Sequence, residues 1–309
     1  MKLAFIYFLT GLLAYFILPE AYLYTVGFAM LFAALSASWD LTVGYTGQVN
    51  LGHTTFVGLG AYIFAVLLAG RLGFEFNIYV AFLAAILVSA SLGAAFGAIA
   101  LRLRGYYFAL ITAILPLVFM QTVFIFSEVF GGEEGFSIGL ERGVTPEWRY
   151  LFALLVSFAV LSILLLIVRS RFGVRFMAIR DNEELAEAIG IDTTKYKVLS
   201  FTISSAMAGF VGAAIVLYRI TVSPDLYSVD LMLMIILASV VGGIGTIYGP
   251  FFFGLLVYLL KVFVVREFLL SFGLRMSDEI ILYAILIIAA IMMPNGIAAM
   301  FKRHIKRID

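Results

Sequence analysis

The chain has 309 residues, 64% of them hydrophobic and 16% aromatic, with a mean hydropathy of +1.11 and a formal net charge of +1. Ordinary globular domains lie nearer half apolar and a quarter charged; here 13% of residues are charged, which excludes a water-soluble domain and indicates an integral membrane protein. Cysteine is absent, so disulfides and thiolate metal sites are excluded, and the near-neutral balance supplies no basic surface for nucleic acid.

Apolar stretches fall near 3–18, 21–39, 54–70, 77–101, 106–127, 150–168, 198–218, 229–247, 250–265 and 280–300. Several reach the roughly 20 residues that a helix needs to cross about 30 Å of hydrocarbon. They predict an all-α polytopic membrane protein, one domain over 1–309, with about ten transmembrane helices. The segments at 3–18, 54–70 and 250–265 are short, so eight spans plus re-entrant pieces fit nearly as well. Lys2 and the apolar run after it lead through Pro19-Glu20 into another apolar segment, with no small-residue cleavage site. We read 3–18 as a retained span rather than a leader.

Ten spans segregate the charge. One side receives Lys2, Arg102, Arg104, Arg169, Arg171, Arg175, Arg180, Lys195, Lys197 and the basic tail, thirteen of the twenty Lys and Arg. The other receives twelve of the nineteen acids, from Glu20 and Glu75 through Glu128–Glu147 to Asp278 and Glu279. Because short cytoplasmic loops are rich in Lys and Arg, both termini and the loop 169–197 are expected in the cytoplasm, and the acidic loop 128–149 outside a cell membrane.

The first stretch with chemistry is "GYTGQVNLGHTTFVGLGAY" (44–62). Glycines and polar groups at membrane depth are tolerated where backbone is buried in protein or lines a watery cavity. Gln48, Asn50, His53, Thr54 and Thr55, with Asp40 just before them, are therefore candidates for a translocation path. The competing reading is close helix packing through small residues. His53 and His304 are the two histidines, too few for a metal centre, and no cofactor site is expected. Gly93, Gly97 and the run Ser204, Ser205, Ala208, Gly209, Gly212 suit close helix approach, and Arg219 suits a snorkelling position at a span end.

The loop 169–197 holds eleven of the 39 charged residues. Asp181 or Asn182 can cap a helix with Glu183 and Glu184 in its first turn. Leu185, Ala188 and Ile189 then form one apolar stripe, and Gly190 stands where a left-handed terminating residue belongs. A helix of about two turns is marginal in water unless something packs on it, so this segment either docks on its own protein or lodges in a partner's groove. Further on, "VGGIGTIYGP" lacks the Lys-Ser or Lys-Thr of a phosphate-binding loop and reads as a break between spans; no such loop occurs anywhere in the chain.

Glu184-Leu185-Ala186-x-x-x-Gly190 resembles the E-A-A-x-x-x-G loop by which membrane subunits of ABC importers touch their ATPase. The longer string from Ala178 through Ala213 resembles the branched-chain amino acid permeases of Liv type, and its opening A-I-R-x-N-E is similar to the LivM-like half of that pair. Segments 44–62, 223–254 and "MMPNGIAAM" (292–300) agree in order and spacing. Leu185 replaces the first alanine of the triplet, and Ile114-Leu115-Pro116-Leu117 stands where relatives often carry an acid. The resemblance implies an importer permease without covalent chemistry of its own. Its expected partners are membrane lipid, a second, LivH-like permease, two cytoplasmic ATP-binding subunits and an extracytoplasmic binding protein, for which the acidic loop is either a contact or an ordinary hydrated lid. The residues implied to contact the ATPase are Asn182, Glu183, Glu184, Leu185, Ala186, Ala188, Ile189 and Gly190. Other cargo (urea, short amides, a sugar) leaves the same architecture, whereas a stand-alone secondary transporter or channel needs intramembrane titratable groups, of which the spans offer essentially Asp40. The spans also show no pair of opposite charges to clamp both ends of a zwitterion.

Overall fold

The computed structural model describes residues 2–101, 106–139, 145–271 and 278–292. Arg102, Arg104, Glu141, His304, the rest of the basic tail and all but Met292 of the "MMPNGIAAM" segment lie outside the described residues. In order come α1 (Lys2–Ile17), α2 (Glu20–Thr46), α3 (His53–Leu68), α4 (Ile78–Ala100), α5 (Tyr106–Ile125), the single turn α6 (Ser127–Phe130) and α7 (Pro146–Arg169). Then follow α8 (Arg171–Asp181), α9 (Glu183–Ala188), α10 (Thr193–Arg219), α11 (Val229–Gly242), α12 (Tyr248–Leu260), α13 (Arg266–Ser271) and α14 (Asp278–Met292). A π-helical turn at Lys261–Val265 continues α12 into α13.

Each expected apolar segment contains a helix. Among the described residues six, counting α12 with its π-helical extension, are long and apolar enough to cross a bilayer; the four apolar helices at Lys2–Ile17, His53–Leu68, Val229–Gly242 and Ile280–Ala289 are shorter. The all-α expectation omitted one small element, a two-residue antiparallel ladder pairing Phe136 with Val222 and Ser137 with Thr221. It fastens part of the acidic loop to the end of α10. Arg71 adds to this by donating to the carbonyls of Glu128 and Val129 and lying 4.1 Å over the Phe136 ring.

The core is built on α2 and α10. The most apolar stretch of α2 is 89% buried, against 22% for α4 and 28% for α5; a helix apolar on every side is stable only where every side is covered. The α10 helix packs against α2, α3 and α4, and α2 packs against α7 and α12. Small residues set the spacing: a Cβ at Gly60 would collide with the Gly209 backbone, and one at Gly212 with the Val57 carbonyl. Backbone cannot swing aside as a side-chain end can, and overpacking of this kind costs about 1–3 kcal/mol. Gly60→Val is therefore expected to lower the melting temperature of the detergent-solubilised protein by several degrees; an unchanged melt would show that α3 and α10 do not meet there.

Candidate functional site

Two strings far apart in sequence form the site with the loop between α7 and α10. In that loop, Ser170 caps α8 by accepting from the Phe172 N–H (3.2 Å), and Asn182 caps α9 by accepting from the Leu185 N–H (2.9 Å). The end of α9 closes with paired bonds, Gly190 N–H to the Glu187 carbonyl (2.9 Å) and Ile191 N–H to the Ala186 carbonyl (3.0 Å). Gly190 takes φ +88°, as that termination requires.

One side of α9 is pinned to its own protein. Glu183 pairs with Lys197 at 2.5 Å, Glu187 accepts from the Thr193 hydroxyl at 2.6 Å, and Ala186 is buried. The predicted stripe points elsewhere: Leu185 is 61% exposed and Ile189 68%, and Ala188 and Glu184 are also exposed. On α8, Phe172, Val174 and Met177 add further exposed apolar surface. A helix clamped by charge on one side and bare on its apolar side presents that side outward.

The second part is a junction. Asp40, fully buried, accepts three backbone N–H bonds from the break between α11 and α12: Gly245 (2.7 Å), Thr246 (3.1 Å) and Ile247 (2.8 Å). Ile247 is held at φ +58°, inside a γ-turn closed by Tyr248 N–H donating to the Thr246 carbonyl at 2.7 Å. That is a strained conformation for a β-branched residue, of the kind that persists where surroundings over-determine it. Arg180, from the last turn of α8, donates to the Gly44 carbonyl, and a Cβ at Gly245 would strike both the Arg180 guanidinium and that same carbonyl. Asp40, Gly44, Arg180 and Gly245–Ile247 thus converge, so the end of α8 bears directly on the break between α11 and α12.

Of the other path candidates, Asn50 caps its own turn, accepting from Gly52 N–H at 2.9 Å, and its carbonyl accepts from the Trp39 indole at 2.7 Å. His53 Nε2 lies 2.9 Å from the Ser38 hydroxyl. Thr54 and Thr55 are buried with hydroxyls that have no hydrogen-bond partner among the described residues, and Thr54 lines a cavity of about 130 Å³ with Pro116 and Met232. Gln48 is half-buried, its amide donating to the Thr46 carbonyl at 3.3 Å. The glycine-rich stretch 44–62 is thus a tight connection between α2 and α3 followed by a packing surface. Sequence reasoning missed Arg180 as a junction residue, the Glu183–Lys197 clamp and the partner of Asp40. A lone acid inside an apolar helix, in a chain that also carries a glycine-rich break with free N–H groups, was the available signal.

Comparison with known proteins gives the family. A family model described as the branched-chain amino acid transport system permease component matches residues 21–290. The high-affinity branched-chain amino acid transport system permease protein LivM of Salmonella typhimurium is 26% identical over 306 residues, spanning 90% of this chain and 70% of that protein. BraD of Pseudomonas aeruginosa is 26% identical, spanning 91% of this chain and 97% of its own. LivH of Escherichia coli is 24% identical over 290 residues, spanning 86% and 90%. No solved structure matches. With the family model covering most of its length, the chain belongs to the permease components of branched-chain amino acid transport systems, multi-pass proteins of the cell membrane.

Proposed function

We propose that this chain is the membrane-spanning permease subunit of an ATP-driven importer of branched-chain amino acids. It pairs with a second permease, receives cargo from an extracytoplasmic binding protein, and is driven by two cytoplasmic ATP-binding subunits. In this reading its ten apolar helices cross or enter the bilayer, both termini are cytoplasmic, and residues 128–149 face outward. The observation that carries it is the exposed stripe Leu185, Ala188, Ile189 on a helix whose opposite side is clamped, which suits insertion into a groove on an ATPase. Asn182, Glu183, Glu184, Ala186 and Gly190 shape and anchor that helix. Movement of the loop passes through Arg180 to Gly44 and the Asp40-bound break, shifting α11 against α12. Gln48 and Thr54 border the path that opens.

The buried acid of α2 supports ATP over an ion gradient as the driving force, because both Asp40 oxygens are committed to backbone N–H groups and are not placed to bind and release an ion. In vesicles carrying the assembled complex, radiolabelled leucine uptake is expected to require both binding protein and ATP. Uptake that persists without ATP and follows an ion gradient would overturn the mechanism; ATP-dependent uptake of urea without leucine would overturn the cargo alone.

A further inference from the structure

Away from the loop, a cavity of about 290 Å³ lies between α2, α10, α11 and α12. Its lining includes the apolar Phe28, Phe32, Leu35, Ile215 and Met234 and the charged Arg219, Asp225, Asp230 and Lys261. The sequence offered no pair of opposite charges within the spans to clamp a zwitterion; here charges of both signs line one cavity at helix ends and a loop, which their sequence spacing did not show. Arg219 stands at the end of α10. Its guanidinium lies 4.6 Å over the Phe28 ring and pairs with Asp225 at 2.7 Å, while Asp225 also accepts from the Ser223 hydroxyl. Asp230 is exposed in the first turn of α11, and among the described residues no side chain pairs with its carboxylate.

We propose that this cavity is a binding site for a zwitterionic amino acid with an aliphatic side chain, a proposal that rests on the cargo reading above. The substrate carboxylate meets Arg219, whose planar fork suits a carboxylate. The ammonium meets Asp230, and the hydrocarbon tail lies on Phe28, Leu35 and Met234. Size agrees: at about 30 Å³ per water, the cavity holds about ten water-sized groups, the scale of leucine and at the lower end of ligand pockets. Neutral amides such as urea gain nothing from the charge pair and leave the apolar lining uncovered, so the site selects on both ends and the tail together.

The test measures competition binding by saturation-transfer NMR on the assembled complex in nanodiscs, using leucine, 4-methylpentanoate (no ammonium) and 3-methylbutylamine (no carboxylate). Wild type is expected to prefer leucine over either analogue by about tenfold, since each charge-assisted bond lost weakens binding by that order. Arg219→Gln should abolish the preference over the amine and keep that over the acid; Asp230→Asn should do the reverse. Arg219→Lys should restore part of the first preference, and Met234→Trp, which fills the cavity, should weaken all three ligands. Melting temperature and co-purification report folding, and the split between analogues is something a structural defect would not produce. Leucine uptake by the wild-type complex together with unchanged preferences in the variants would overturn the site alone. No leucine uptake in wild type would overturn the cargo reading and the site with it.

Discussion

Asp40→Ala is expected to be the most damaging single substitution in the membrane core. It leaves three backbone N–H groups of the 245–247 turn without their acceptor, and a buried donor left unsatisfied costs about 1–3 kcal/mol. The turn also holds Ile247 at φ +58°, a conformation worth roughly 1–3 kcal/mol of strain, so without the carboxylate the turn is expected to relax rather than persist. A total loss on the order of 3 kcal/mol or more follows. Asp40→Asn keeps one oxygen and should fall between, because its amide presents donors to donors. Thermal denaturation of the purified protein checks the order wild type, Asn, Ala. Equal melting temperatures for all three would mean that Asp40 does not hold the break together.

The second large effect is on coupling rather than folding. Leu185→Asp puts a charge on the exposed stripe, and Gly190→Val forces a β-branched residue into φ +88°, where L side chains are strained. A Cβ at Gly190 would meet nothing, so backbone conformation alone opposes that change. Both proteins are expected to insert and melt as wild type within about 1 kcal/mol, since Leu185 and Gly190 are exposed. Both should fail to co-purify with the ATP-binding subunits and lose at least tenfold in ATP-driven uptake, a coupling loss of about 1.4 kcal/mol or more. Normal uptake with an intact complex in both variants would reduce the loop to a connector.

What could be read from sequence was what short-range physics writes. Capping at Asn182, acids in the first turn, the i, i+3, i+4 stripe and a left-handed glycine at 190 are all decided within a few residues, and all four appear in the structure. The small-residue run on α10 likewise packs as its composition implied. Contacts between distant segments were not legible. Asp40 and Ile247 are 207 positions apart, and Arg180 and Gly44 are 136 apart; periodicity says which face of a helix is apolar, not which helix covers it. The 44–62 stretch was ambiguous for the same reason, because glycine is demanded equally by a broken helix and by a close approach such as Gly60 against Gly209.

The proposed coupling depends most directly on which surface of α9 an ATPase covers, and the chain suits the measurement because it contains no cysteine. Leu185→Cys and Ile189→Cys each provide a single thiol on the exposed stripe, and Glu20→Cys provides one at the start of α2, expected on the opposite side of the membrane. Maleimide labelling in inside-out and right-side-out vesicles, with and without the ATP-binding subunits, is the experiment. Positions 185 and 189 should label from the cytoplasmic side and become protected by at least about tenfold when the ATPase is bound, while position 20 labels from outside and does not change. Labelling of 185 and 189 that is unaffected by the bound ATPase would contradict the proposed coupling site.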